Sequence, residues 1–210
     1  MGQPLHVKVF VSSPGDVPEE RAAALKLLAE LPGEAAWAGR VTIQPVMWDD
    51  PRAPAPLEAN ATPQAAVNWY KGKPSDCDLT VVILAGRIGS PPDLYRKDGS
   101  RYPSGTVWEY EDAVEAGRKV WVFRRDPPPE IDIDDPALDE KRAQRAGIRA
   151  FAAGILAGGK GGVETYANPA DFAARLAGRL ATEHYTKFTQ EARLSSPTDN
   201  RFRVIAGLFY

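Results

Sequence analysis

The chain has 210 residues, a formal net charge of −2 and a single cysteine, Cys77. This length suits one large domain, or one domain with an appendage, and the charge argues against a nucleic-acid partner held by bulk electrostatics. One cysteine and two histidines, His6 and His184, exclude a disulfide within the chain and argue against a metal site. No membrane-spanning run or signal-peptide pattern is visible, so we expect a cytoplasmic protein without a membrane partner.

The first 125 residues alternate between strand and helix patterns. Apolar runs bounded by turn residues predict strands at 5–11, 41–46, 78–84 and 120–123. Capping and proline signals predict helices at 18–31 and 62–70, and a helix that carries Glu109 in its first turn and runs to Gly117. Such an alternation is typical of a parallel sheet with helices on both faces.

The second half continues this pattern after a proline-rich acidic insertion at 127–135. It predicts a helix at 138–156, a fifth strand at 163–166 and a helix from 168 to about 181 or beyond. The first of these helices is basic on one side, which we interpret as a solvated face rather than a nucleic-acid surface; its basic residues are Lys141, Arg142, Arg145 and Arg149. We expect an α/β domain over 1–185, and a tail or linker toward a downstream domain over 186–210.

Ligands of parallel α/β sheets bind at the carboxyl ends of the strands. The loops 12–17, 47–61 and 85–108 follow the first three strands, so they should emerge at that edge together. This topology gathers the Ser-Ser-Pro-Gly-Asp turn, Trp48 and Glu109 around one crevice.

Glu109 follows a turn rich in glycine and hydroxyl groups, and we expect it in the first turn of its helix. A helix N-terminus stabilises a carboxylate in its ionised form. Such a carboxylate suits glycosyl-bond chemistry, in which positive charge develops on the sugar. The alternative is a capping box, with Thr106 as the N-cap and Glu109 three residues later. The two interpretations are compatible.

Four stretches in order together resemble one family. They are 9–21, with Val-Phe-Val-Ser-Ser-Pro-Gly-Asp and Glu20-Arg21; Val46-Met-Trp48; 76–89, with Asp-Cys-Asp, the strand and Arg87-Ile-Gly89; and Ser-Gly-Thr-Val-Trp-Glu-Tyr-Glu-Asp-Ala at 104–113. This pattern is similar to the TIR-like domain at the N-terminus of many bacterial STAND NTPases. The resemblance covers about residues 5–125, and the remainder more weakly. It implies a flavodoxin-like (TIR-like) five-stranded parallel sheet, shared with TIR domains and nucleoside 2-deoxyribosyltransferases.

Active members of this wider group cleave N-glycosidic bonds, and TIR enzymes cleave NAD to nicotinamide and ADP-ribose or a cyclic product. The resemblance therefore implies that Glu109 is catalytic, with NAD as substrate and with neither cofactor nor metal. It further implies substrate-binding roles for Ser12, Ser13, Asp16, Arg21, Trp48, Arg87, Ser104, Thr106 and Trp108.

Each of these residues also has a structural interpretation. Ser13 fits turn chemistry, Asp16 fits a loop-to-helix cap, and Arg21 fits an ion pair across the first helix. Trp48 and Trp108 fit packing as well as stacking on a base. We expect Cys77 to be an inert buried thiol.

The resemblance leaves three functions open. The first is NAD cleavage in antiviral defence, activated by self-assembly or by downstream STAND NTPase and sensor domains. The second is a non-catalytic interaction and oligomerisation module, since some TIR domains are adaptors. The third is a nucleoside deoxyribosyltransferase-like or nucleotide-hydrolysing enzyme.

Overall fold

The computed structural model describes residues 4–47, 72–159 and 161–191, the last nine as backbone only. Within these ranges the strands form one parallel sheet in the order β2-β1-β3-β4-β5. The order and the helices on both faces confirm the expected flavodoxin-like α/β fold. The strands are β1 (Leu5–Ser12), β2 (Val41–Val46), β3 (Leu79–Leu84), β4 (Lys119–Arg125) and β5 (Val163–Tyr166).

Four α-helices connect or follow these strands in the described part of the chain. They are α1 (Pro18–Glu30), α2 (Gly105–Glu115), α3 (Leu138–Ala157) and α4 (Pro169–Glu191). Short 3-10 turns precede β2 and β3, at Leu31–Gly33 and Pro74–Asp76. The predicted helix at 62–70 and Trp48 lie outside the described residues.

The central strand β3 is buried along its whole length. Its neighbours β1 and β4 cover both edges, and helices cover both faces, so every position of the strand is removed from water. This explains why its sequence is a continuous apolar run with no alternation.

The side chains of β3 divide between two cores because successive residues point to opposite faces. Val81 and Ile83 join α1 and α4 in the larger core, which includes Leu28 and Phe172. Val82 and Leu84 join α2 and α3 in the second core; its other buried members include Val107, Ile148 and Ile155. The sheet is thus covered on both faces by helices of the described chain.

The chain leaves β1 toward one side of the sheet, to β2, and leaves β3 toward the other side, to β4. The carboxyl ends of β1 and β3 are therefore a topological switch point, where two connections diverge and where ligands of such sheets bind. Ser12 ends β1 at this point, and the loop that begins with Ala85 leaves β3 beside it.

Candidate functional site

A buried carboxylate lies at this switch point. Glu109 on α2 is 6% exposed, and Ser12 at the end of β1 is fully buried. The Ser12 hydroxyl donates a hydrogen bond of 2.5 Å to Oε2 of Glu109, across 97 residues of sequence. A hydrogen bond from a hydroxyl to a carboxylate at this length is among the stronger ones in proteins. The carboxylate is therefore held in one orientation by the sheet itself.

The start of α2 differs from the expected capping box. Ser104 is the N-cap, and its Oγ accepts a 3.1 Å hydrogen bond from the backbone N–H of Val107. The capping box of Thr106 with Glu109 is therefore wrong. So is the placement of Glu109 in the first turn, because the helix begins at Gly105 and its first turn has no acidic residue. The Glu109 carboxylate does not cap the helix, and it contacts Ser12 on β1 instead.

The loop after β3 packs tightly against the start of α2. Gly89 has φ of +101°, and a Cβ there would lie 3.4 Å from Cβ of Ser104 and 3.6 Å from Oγ1 of Thr106. Both hydroxyl residues are buried, at 0% and 4% exposure. A glycine is favoured here because the backbone is left-handed, and an added Cβ would make ordinary van der Waals contacts with these two residues. The expected binding residues Ser104 and Thr106 thus lie under this loop.

The loop after β1 is tied to the loop after β3. Oδ2 of Asp16 accepts a 2.8 Å hydrogen bond from the backbone N–H of Gly86. The N-cap of α1 is Val17, with no side-chain capping bond, so the expected cap role of Asp16 is wrong. Arg21, 9% exposed, donates from Nη1 to the carbonyl of Pro14 at 2.9 Å and braces the turn.

Ser13 is 6% exposed, and its hydroxyl has no hydrogen-bond partner among the described protein atoms. A buried hydroxyl without a partner costs free energy. The side-chain hydrogen bond expected from turn chemistry is therefore absent among the described atoms.

Arg87 and Trp108 lie at the margin of this arrangement. The guanidinium of Arg87 is largely solvent-exposed and lies 4.0 Å from the carboxylate of Glu140 on α3. Trp108 is half-buried, and its backbone N–H donates to the carbonyl of Ser104 at 3.1 Å. The structure thus brings Ser12 and Glu109 into contact, and it joins Arg87 to α3 instead.

A second buried polar pair escaped the sequence analysis. Glu20 on α1 is 3% exposed and accepts a 3.2 Å hydrogen bond from the hydroxyl of Tyr166. That hydroxyl also lies 3.3 Å from the carbonyl of Leu84, at the end of β3. Burial, and then the Glu20 carboxylate, raise the pKa of Tyr166 above its usual range. No sequence spacing links residues 146 positions apart, so nothing in the pattern could have found this pair.

The structure also defines the surroundings of Cys77 and Glu111. Cys77 is 1% exposed, and burial raises the pKa of its thiol to about 11, so the expected inert thiol is confirmed. Glu111 on α2 is partly buried, with a side chain that is 29% exposed. Its carboxylate accepts two hydrogen bonds from Arg96, at 2.7 and 2.9 Å, which fasten the loop before α2 to that helix.

Within the described ranges, no group of three or more histidine, cysteine or acidic residues is arranged to hold a metal ion. No helix of the same ranges is both long and apolar enough to span a membrane.

The parallel sheet order and the ligand edge define a doubly wound, flavodoxin-like α/β domain with a buried carboxylate at its switch point. The chain matches, over residues 8–181, the model of a family described as a domain of unknown function, DUF4062. Because this match spans most of the chain, the protein belongs to that family. No curated protein matches the sequence. The family's description names no activity, so function has to be argued from the site.

Proposed function

We propose that this domain is a TIR-like effector that hydrolyses the N-glycosidic bond of NAD, releasing nicotinamide. The observation that carries the proposal is the Ser12–Glu109 pair, a buried carboxylate fixed by a 2.5 Å hydrogen bond at the switch point of the sheet. Many compounds with an N-glycosidic bond could react beside such a carboxylate. The four-part sequence resemblance to TIR-like domains of STAND NTPases favours NAD among them.

The chemistry asks little of the protein beyond this carboxylate. Nicotinamide leaves as a neutral molecule from a cationic pyridinium, so the breaking bond returns its electron pair to nitrogen without a general acid. Positive charge then develops on the ribose, and a buried carboxylate stabilises it more strongly than water does. Water adds to the sugar, and ADP-ribose, nicotinamide and one proton result.

Ser12 has a positioning role in this mechanism. Its hydroxyl holds Oε2 of Glu109 before substrate arrives, so the carboxylate does not need to reorient as charge develops. The unpartnered hydroxyl of Ser13 beside it suits a contact with the ribose or a phosphate. The biological setting that follows from the resemblance is NAD depletion in antiviral defence, under the control of STAND NTPase and sensor domains.

The test compares the wild type with Glu109→Gln, incubated at high protein concentration with NAD, and measures nicotinamide. Glu115→Gln is the matched control, because Glu115 lies on the same helix with an exposed side chain. We expect the wild type and the control to release nicotinamide, and Glu109→Gln to lose on the order of 100-fold or more of the rate. Equal turnover by all three proteins would remove Glu109 from the mechanism.

The second candidate is a non-catalytic module that assembles with copies of itself. One observation favours it: a groove of about 430 Å³ between α2 and α3, lined mainly by apolar side chains such as Val107, Tyr110 and Phe151. Oligomers that form with no loss of NAD would support it over the enzyme. Transfer of the deoxyribosyl group from a nucleoside to a free base, followed in a separate incubation, would instead indicate a deoxyribosyltransferase.

A further inference from the structure

Four arginines surround a cavity at the carboxyl end of β4, on the other side of the loop after β3. The cavity has a volume of about 180 Å³. Arg124 and Arg125 end β4, and Arg145 and Arg149 lie one turn apart on α3. Ala85, Pro128 and Ile148 complete its lining. Four cations around so small a space repel one another unless an anion joins them.

The described part of the chain places few negatively charged side chains beside these arginines. Arg124 pairs with Asp126 at 2.9 Å, and this carboxylate is about half exposed. Among the described residues, no ion pair is made by Arg125, Arg145 or Arg149. Among the residues that line the cavity, positive charge therefore exceeds negative charge.

The guanidinium groups also carry buried donors without acceptors. Nε of Arg124, Nε of Arg125, and both Nε and Nη2 of Arg145 are removed from solvent and have no hydrogen-bond partner among the described protein atoms. A buried N–H without an acceptor is costly, and more so on a charged group. Donors of this kind clustered around one cavity indicate an acceptor that the protein takes from outside.

The position of α3 over the sheet is fixed. Oε1 of Gln144 accepts from the backbone N–H groups of Ile88 and Gly89 at 2.9 and 3.1 Å, and its Nε2 donates to the carbonyl of Gly89 at 3.3 Å. Gly147 lies so close to Ile88 that an added Cβ would be 2.9 Å from its Cγ2. These contacts hold Arg145 beside the end of β4 before any ligand binds, which lowers the cost of binding.

We propose that this cavity binds the phosphoryl groups of a small phosphorylated ligand, with pyrophosphate as its simplest form. Guanidinium groups match phosphate oxygens with paired, charge-assisted hydrogen bonds. The volume is below the roughly 300–1,000 Å³ of pockets that enclose drug-sized ligands, so the cavity fits one or two phosphoryl groups and leaves the rest of a nucleotide outside. The site does not depend on the proposed cleavage of NAD.

The experiment measures binding of sodium pyrophosphate to the whole chain by calorimetry and by thermal shift, at constant ionic strength maintained with chloride. The proteins are the wild type, Arg145→Gln, Arg149→Gln and the control Arg142→Gln. Arg142 is on the same helix, and its exposed side chain lies near Asp139, outside the cavity lining.

We expect pyrophosphate to bind and stabilise the wild type and Arg142→Gln equally. Arg145→Gln should bind at least about 10-fold more weakly, because it loses charge-assisted hydrogen bonds to the anion. Arg149 lies at the exposed rim, so Arg149→Gln should lose less pyrophosphate affinity. This variant still tests the proposal if Arg145→Gln fails to fold. Absence of pyrophosphate binding to the wild type, or equal binding by all four proteins, would overturn the proposal.

Two further arms separate the site from the NAD mechanism and identify the source of the phosphate. Glu109→Gln should bind pyrophosphate as the wild type does, whatever the outcome with NAD. Competition between pyrophosphate and ADP-ribose would show that a nucleotide supplies the phosphoryl groups. Independent binding of the two would show that the ligand is a free anion. Displacement of pyrophosphate only by a long nucleic acid would instead indicate a polyanion surface and contradict a small-ligand site.

Discussion

The Glu109 site and the arginine cavity lie at the same edge of the sheet, and they bury opposite charges in opposite ways. The carboxylate of Glu109 receives its hydrogen bond from Ser12, a residue of the same chain. The buried guanidinium nitrogens of Arg125 and Arg145 donate to no acceptor among the described protein atoms. The Glu109 carboxylate thus has a hydrogen-bond donor within the chain, whereas these arginine nitrogens have no acceptor among the described protein atoms.

The loop after β3 lies between these two regions and contacts both. Its first residues bond Asp16 and line the arginine cavity, and Gly89 packs on Ser104 and Thr106. Because burying a polar group without a partner is costly, the difference has a measurable consequence. Removing a partner at the Glu109 site should destabilise the protein, whereas removing an arginine should cost little until ligand is present.

The largest effect is expected from Ser12→Ala. The change leaves the buried carboxylate without its hydroxyl donor, which should reduce the free energy of unfolding by roughly 1–3 kcal/mol. Nicotinamide release should fall by about 10- to 100-fold, because Glu109 loses its fixed orientation. Chemical denaturation and the NAD assay measure the two effects.

Thr80→Val is the matched control for this prediction. Thr80 is a fully buried hydroxyl residue on the neighbouring strand β3, but its Oγ1 has no partner among the described atoms. Its replacement should therefore be neutral or stabilising, since it removes a buried polar atom that gains nothing. Equal destabilisation by the two substitutions would contradict the special role of the Ser12 bond.

Gly147→Val should damage the arginine cavity and spare the other region. A side chain at 147 collides with Ile88, whose Cγ2 would lie 2.9 Å from the new Cβ, so α3 must shift. Overpacking of this kind costs about 1–3 kcal/mol. The shift should separate Arg145 from the end of β4 and weaken pyrophosphate binding more than NAD cleavage.

Gly154→Ala on the same helix serves as its control. No atom lies within 4 Å of the added Cβ, so the helix should gain about 0.5–1 kcal/mol and pyrophosphate affinity should not change. A loss of pyrophosphate affinity with this variant would mean that α3 responds to any change in its own stability, not to its contact with Ile88.

The contrast also separates what the sequence could predict from what it could not. The positions of the strands along the chain followed from apolar runs, such as Leu79–Leu84, whose burial on both faces leaves a continuous pattern. Glu109 was recognised as a candidate residue from a local motif, although its assignment to a capping box with Thr106 was wrong. Ser104 and Thr106 offer the same hydroxyl chemistry two residues apart, and only tertiary packing decides which of them caps the helix.

The arginine cavity was visible only as a basic helix face. Periodicity places Arg145 and Arg149 on one side of α3, but it says nothing about which strand end that side meets. Arg124 and Arg125 end β4, and charged residues at the end of a strand give no specific signal of a binding site. Their meeting depends on Gln144 and Gly147 docking α3 on the loop after β3, a long-range contact that no local pattern encodes.

A smaller effect is expected from Gly89→Ala, on the Glu109 side of the shared loop. At φ of +101° an alanine is strained by about 1–2 kcal/mol, and its Cβ would lie 3.4 Å from Ser104 and 3.6 Å from Thr106. Gly99→Ala has a similar φ of +83° but an open surrounding. Both variants should lose stability, and only Gly89→Ala should lose NAD cleavage. Parallel loss of cleavage in both would assign the effect to backbone strain alone.

The smallest effect is expected from Arg145→Met in buffer free of phosphate. The substitution keeps much of the side chain's length and removes buried donors that have no acceptor in the described protein, together with one of four mutually repelling charges. The free energy of unfolding should stay within about 1 kcal/mol of the wild type or rise, as when an unsatisfied charged group is replaced by an apolar one. Addition of pyrophosphate should then raise the free energy of unfolding of the wild type more than that of the variant. Destabilisation by 2 kcal/mol or more without any anion, on the order of that expected for Ser12→Ala, would mean that the chain itself satisfies Arg145 and that the two regions do not differ in kind.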